Sequence, residues 1–176
     1  GRPYADLGEP ARHVGAVLDA SSFHPGRRGV DQLRITATAA GIPVGRTDEV
    51  LEQVGLASAA RRRIGRFSLG MRQRLALAGA LLGEPEVLIL DEPANGLDPE
   101  GVRWLRQLLR RQADEGRTVL VSSHLLDEVS HTVDHVVILD QGRLVTHAPL
   151  AELATPTEPS LEDVFFRLTD RERSWS

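Results

Sequence analysis

Two neighbouring carboxylates, Asp91 and Glu92, close the apolar run Val87-Leu88-Ile89-Leu90, and Pro93 follows them directly. A short continuous run of β-branched and leucine side chains reads as a parallel strand buried on both faces. In open α/β sheets, ligands gather beyond the carboxyl ends of the strands. Adjacent carboxylates there can share the work of phosphate chemistry. One can hold Mg2+ through its water shell while the other orients or deprotonates an attacking water. A second buried strand over 118–122 ends in Ser122-Ser123-His124, so His124 can share that rim. Neutral imidazole both donates and accepts, which suits a γ-phosphate and its attacking water.

A second group precedes the first. Phe67-Ser68-Leu69-Gly70-Met71-Arg72-Gln73-Arg74 sets a serine at the start of a helix expected over 71–82, with Gly83 and Pro85 to stop it. Ser68 is a natural N-cap. Residues 68–71 then offer a hydroxyl and successive backbone N–H groups where the helix dipole favours an anion. The sequence contains no lysine, all 21 basic side chains being arginine, so no lysine-bearing phosphate loop lies within it.

The elements that must hold these groups are legible in outline. Residues 14–18 form a short strand ending at Asp19, and 21–29, with His24-Pro25-Gly26, is loop. Two short helices follow at 31–40 and 47–54, with Gly55 as a stop. Asp98-Pro99-Glu100 opens another helix with an N-cap, a proline at the first helical position and an acid in the first turn. Trp104, Leu105, Leu108 and Leu109 form its apolar stripe, and Gly116 closes it. Beyond 118–122 come a helix at 125–133, a strand at 136–139, and a hairpin turn, Asp140-Gln141-Gly142-Arg143, into Leu144-Val145. Residues 156–159 read as a linker and 160–168 as a helix with Leu161, Val164, Phe165 and Leu168 on its apolar side. Strands alternating with helices argue for an α/β domain with a largely parallel sheet.

Composition narrows the function. With 41% hydrophobic and 26% charged residues the chain is globular, and a net charge of −4 offers no basic face for nucleic acid. Cysteine is absent, which removes disulfides and thiolate metal sites. No apolar run approaches the roughly 18 residues that a membrane helix needs. Arg61-Arg62-Arg63 reads as a solvated turn. His13, His24, His131, His135 and His147 read as surface or loop residues; His131 and His135 are four apart but straddle a helix end. No internal repeat is present. The chain starts at Gly1 and its one methionine, Met71, is internal, so an N-terminal segment is expected to precede it.

Taken in order, these segments resemble the ATPase subunit of ABC transporters. Residues 67–74 look like that family's signature motif, 87–92 like its Walker B strand and catalytic Glu, Asn95-Gly96-Leu97-Asp98 like its D-loop, and His124 like its switch histidine. The motif resemblance spans 67–124 and extends more loosely over 1–168. The Ser-Leu-Gly-Met form of the signature and the terminal Ser160-Leu161-Glu162-Asp163-Val164-Phe165 are similar to bacterial exporters of the multidrug, bacitracin and lantibiotic-immunity type.

The resemblance implies a P-loop NTPase-like ABC ATPase fold of class α/β, with a partial parallel sheet and a helical subdomain. Its parts would be a helical and signature subdomain at about 21–82, a core at about 83–145, an extension at about 146–168, and a tail at 169–176. The family's Walker A loop and the aromatic that stacks on adenine have no counterpart here. The family's Q-loop glutamine falls at Asp19, and Leu69 replaces a signature glycine.

In the family, ATP is held between two subunits, the Walker motifs of one facing the signature of the other. Asp91 would then hold Mg2+, Glu92 would polarise the water, and His124 would stabilise the γ-phosphate. Asp98 belongs to the D-loop, while Ser68, Leu69, Gly70 and Met71 would close the neighbour's ATP site. The partners implied are a second ATPase subunit and a separate membrane permease, on the cytoplasmic face of the membrane. This chain by itself is expected not to hydrolyse ATP. The alternative is a degenerate, non-catalytic subunit that lends only its signature face to a complete partner.

Overall fold

Three parallel strands carry the carboxylate motif: β1 (Val14–Val17), β2 (Val87–Asp91) and β3 (Thr118–Ser122), in the order β1-β2-β3. The computed structural model describes residues 3–19, 22–153 and 160–173. Register pairs Ala16 with Ile89 and Ile89 with Leu120, while Asp91 lies opposite Ser122. The chain divides into two units, Gly1–Ser122 and Ser123–Ser176, and each has its own hydrophobic core.

In the first unit a short helix, α1 (Pro10–His13), leads into β1. The helices α2 (Gly29–Ala39), α3 (Arg46–Gln53) and α4 (Leu69–Leu81) pack on one another through Leu33, Val50, Leu51, Val54 and Leu75, all buried. In α3 the apolar residues lie on one side and leave water by packing on its neighbours, whereas α4 is apolar around more of its circumference and packs on β1 as well as on α2 and α3. The carboxyl end of α4 lies against β1, where a Cβ on Gly15 would sit 2.3 Å from the Ala80 carbonyl oxygen. Only glycine allows that approach. The helix α5 (Pro99–Asp114) contributes Leu105, Leu108 and Leu109 to the same core and packs on β3.

The sheet departs from expectation in one respect. The apolar runs of β2 and β3 predict burial on both faces; the structure buries one. Leu88 and Leu90 are fully enclosed, whereas on the opposite face Ala16 is exposed, Ile89 half-buried and Leu120 55% exposed. Successive side chains of a strand point to opposite faces. A continuous apolar run therefore permits two-sided burial but cannot supply the second cover.

The second unit comprises α6 (Leu126–Ser130), an antiparallel pair β4 (His135–Asp140) and β5 (Arg143–Pro149), α7 (Leu150–Leu153) and α8 (Leu161–Arg173). The hairpin is turned by Gln141 and Gly142, both at positive φ (47° and 77°). Two such residues between strands make the turn whose twist matches the strands. β5 continues to Pro149, well past the expected Val145, which puts His135 and His147 on strands with ring centroids 5.9 Å apart. Val136, Ile138, Leu153, Leu161 and Val164 form the core of this unit. α8 runs past Leu168 to Arg173 and is capped by Ser160, whose Oγ accepts from the Asp163 amide at 3.1 Å. The expected linker at 156–159 lies outside the described residues.

Candidate functional site

Asp91 is the last residue of β2, and Glu92 turns the chain away from the sheet at φ 45°. A non-glycine residue in that region costs roughly 1–3 kcal/mol, and the neighbouring contacts hold it there. The hydroxyl of Ser122, at the end of β3, donates to Asp91 Oδ1 and accepts from the Glu92 amide at 2.9 Å. One side chain thereby orients the carboxylate of Asp91 and pins the backbone that presents Glu92. Ser122 is a candidate site residue to which the motif resemblance assigns no role. Its signal is positional: a hydroxyl at the carboxyl end of the adjacent parallel strand, in register with Asp91.

Asp91 is exposed at the rim, and its donor set is a carboxylate beside a hydroxyl, all oxygen. That chemistry fits Mg2+, which keeps several waters and takes one or two carboxylates plus phosphate oxygens. Among the described residues there is no group of three or more His, Asp or Glu that could hold a metal. Mg2+ here would accordingly depend on water and phosphate for its remaining ligands.

The chain leaves Glu92 through a tight turn. The Asn95 amide donates to the Glu92 carbonyl at 3.1 Å, the Leu97 amide to the Ala94 carbonyl at 3.1 Å, and Gly96 sits at φ 73°. Asp98 then caps α5, its Oδ1 accepting from the Gly101 amide at 2.8 Å. Ser68 caps α4, its Oγ accepting from the Met71 amide at 3.2 Å. Both caps satisfy an amide that the first helical turn leaves without a partner.

These two helix starts meet. A Cβ placed on Gly96 would lie 2.0 Å from Leu69 Cδ2, and one on Gly70 would lie 3.3 Å from Leu97 Cδ2. Further along, the Arg74 guanidinium stacks 3.9 Å above the Trp104 ring of α5 and donates from Nη1 to the Val54 carbonyl at 3.0 Å. Burial lowers the pKa of Arg74 from its ordinary value, while Asp98 and Glu100 pull it back up. Residues 67–74 and 95–98 are thus joined through Leu69 and Leu97, and Arg74 ties α4 to α5.

Two further candidates follow strand ends. Asp19 follows the carboxyl end of β1 and lines a cavity of about 260 Å3 with Gln32, Thr36 and apolar side chains of β1, α2 and α4. His124 is exposed, two residues beyond β3, and belongs to the second unit. Of the remaining histidines, His13 lies 3.6 Å from Glu86, and His24 Nδ1 accepts from the Gly26 amide.

Known proteins match this architecture. The ABC transporter family profile matches residues 4–95. The chain is 40% identical over 168 residues to the "Bacitracin transport ATP-binding protein BcrA" of Bacillus licheniformis, covering 94% of this chain and 54% of that protein. It is 35% identical over 134 residues to the "Lantibiotic transport ATP-binding protein SrtF" of Streptococcus pyogenes, covering 76% of this chain and 58% of the relative. The chain therefore spans little more than half the length of these relatives. Among solved structures it is similar to "Structure of ATP binding subunit of ABC transporter", with a TM-score of 0.78 and 26% identity over 90% of this chain and 69% of that one.

Proposed function

The chain belongs to the ABC transporter family on its ATP-binding side, and from that premise we propose that it serves ATP-driven export through a separate membrane subunit. The observation that carries this reading is the Asp91–Ser122–Glu92 arrangement at the rim of the parallel sheet, in one unit with the Ser68-capped helix. In this reading Asp91, held by Ser122, takes Mg2+ through its oxygens. The ion would supply charge neutralisation at the phosphates. Glu92 orients the attacking water and receives its proton, and His124 contacts the γ-phosphate. Asp19, at the Q-loop position, would hold Mg2+ or a water, and Asp98 fixes the D-loop turn. Residues Ser68, Leu69, Gly70 and Met71 present a hydroxyl, exposed N–H groups and a helix dipole to ATP held on a neighbouring subunit.

No helix among the described residues is long and apolar enough to cross a membrane. In this reading membrane attachment comes through a permease partner, at the cytoplasmic face. The names of the bacitracin and lantibiotic relatives support an antibiotic as the exported molecule, which the membrane partner would select.

Purified chain with MgATP should show no turnover above background, and Glu92→Gln should leave that baseline unchanged. Mixed with an intact ATP-binding subunit that carries a Gly-Lys-Ser/Thr loop, it should associate in a MgATP-dependent way that Ser68→Arg abolishes. Turnover by the chain alone that disappears in Glu92→Gln would overturn the dependence on a neighbour. Absence of nucleotide-dependent association would overturn the ATP reading itself. The alternative reading is a non-catalytic subunit supplying only its signature face to a complete partner. In that case the native polypeptide should carry no Gly-Lys-Ser/Thr loop ahead of Gly1, and finding such a loop there would overturn this second reading.

A further inference from the structure

We propose that Leu69 is a positioning residue: its side chain locks the Asn95–Asp98 turn onto the start of α4, so that the two motif segments form one rigid surface. The consequence for function rests on the ATP reading above; the mechanical coupling does not.

The geometry is specific. Leu69 Cδ2 and Cγ would lie 2.0 and 2.8 Å from a Cβ on Gly96, so the leucine fills the space that any other residue at 96 would need. Gly96 also sits at φ 73°, a conformation that side chains disfavour, and the two requirements coincide at one position. The reverse contact is present as well, Leu97 Cδ2 lying 3.3 Å from a Cβ on Gly70 and Leu97 Cβ 3.2 Å from one on Gly101. Leucines 69 and 97 therefore interleave with glycines 70, 96 and 101 across the two segments.

Leu69 is still 45% exposed, so it is no ordinary core residue; its buried half is the half that covers the turn. Further along α4, the Arg74–Trp104 stack also ties this helix to α5. The Leu69 contact holds the turn, and hence Asp98 at its end, against the start of α4. A short side chain at 69 would remove this contact and leave the turn to the 3.1 Å bonds from Asn95 and Leu97, the Asp98 cap and the packing of Ala94 and Leu97 against the core.

The test needs no nucleotide and uses the full chain. Amide hydrogen exchange at Leu97 and Gly101 should speed up several-fold in Leu69→Ala, with exchange at Leu88 and Leu90 unchanged, and should return towards the original rate in Leu69→Met. Gly96→Ala should lower the melting temperature, and adding Leu69→Ala to it should restore part of the loss, because the clashing methyl is gone. Exchange at Leu97 and Gly101 that is indifferent to Leu69→Ala, or a Gly96→Ala effect of the same size with and without Leu69→Ala, would overturn the proposal. Coupling that persists in a chain failing to associate with an ATP-loaded subunit would sink the functional reading while leaving the positioning role intact.

Discussion

At the scale of single residues, hydroxyls organise this protein's rim and helix starts. Ser122 serves Asp91 and the Glu92 amide at once. Ser122→Ala should therefore free two groups while costing only about 0.5–1.5 kcal/mol, because water can replace the hydroxyl at an exposed rim. Urea unfolding measures the cost, and faster exchange of the Glu92 amide identifies its source. Ser68→Ala removes the acceptor for the Met71 amide. A lost N-cap of this kind costs about 1 kcal/mol, and Ser68→Asp should recover most of it. The Ser68 cap can be read directly from a serine ahead of an apolar helix. The Ser122 bridge cannot, since it depends on β3 lying beside β2 in a register that brings residues 31 positions apart together.

At the scale of elements, the parallel sheet is the instructive case. Its strands follow the apolar runs closely, but one face is packed under α4 and α5 while the other carries Leu120 at 55% exposure. Two leucines of similar sequence context should then respond differently. Leu88→Ala should cost about 2–5 kcal/mol, as for any enclosed leucine. Leu120→Ala should stay within about 0.5 kcal/mol, as expected of a solvent-facing position. Denaturant midpoints of the two variants, with unchanged m-values, check this directly. A comparable cost for both would mean that the Leu120 face is covered in solution.

At the scale of the whole molecule, two cores matter more than one chain. Val17 to Leu109 build the first, and Val136, Ile138, Leu153, Leu161 and Val164 the second. Leu161→Ala, at a position 5% exposed, should lower the stability of its own unit by about 2–5 kcal/mol. Faster amide exchange at Val136 and Ile138 reads it out. With separate cores a single unfolding free energy is not guaranteed to describe the chain, so probes from each unit should be followed separately.

The sequence by itself determined what neighbouring residues can settle. Helix starts at Ser68 and Asp98 come from side chains reaching an amide three residues on. The turn at Gln141 and Gly142 comes from backbone that tolerates positive φ. The apolar runs at 87–90 and 118–122 come from strand preference, and the motif order identified the family. Tertiary structure alone decided which strand face is covered, that Ser122 joins Asp91 to Glu92, and that Leu69 rests on Gly96. Each of these depends on distance in space between segments remote in sequence. A residue's own neighbours fix its backbone preference and its polarity, but the atoms it finally touches are set only when helices and strands pack.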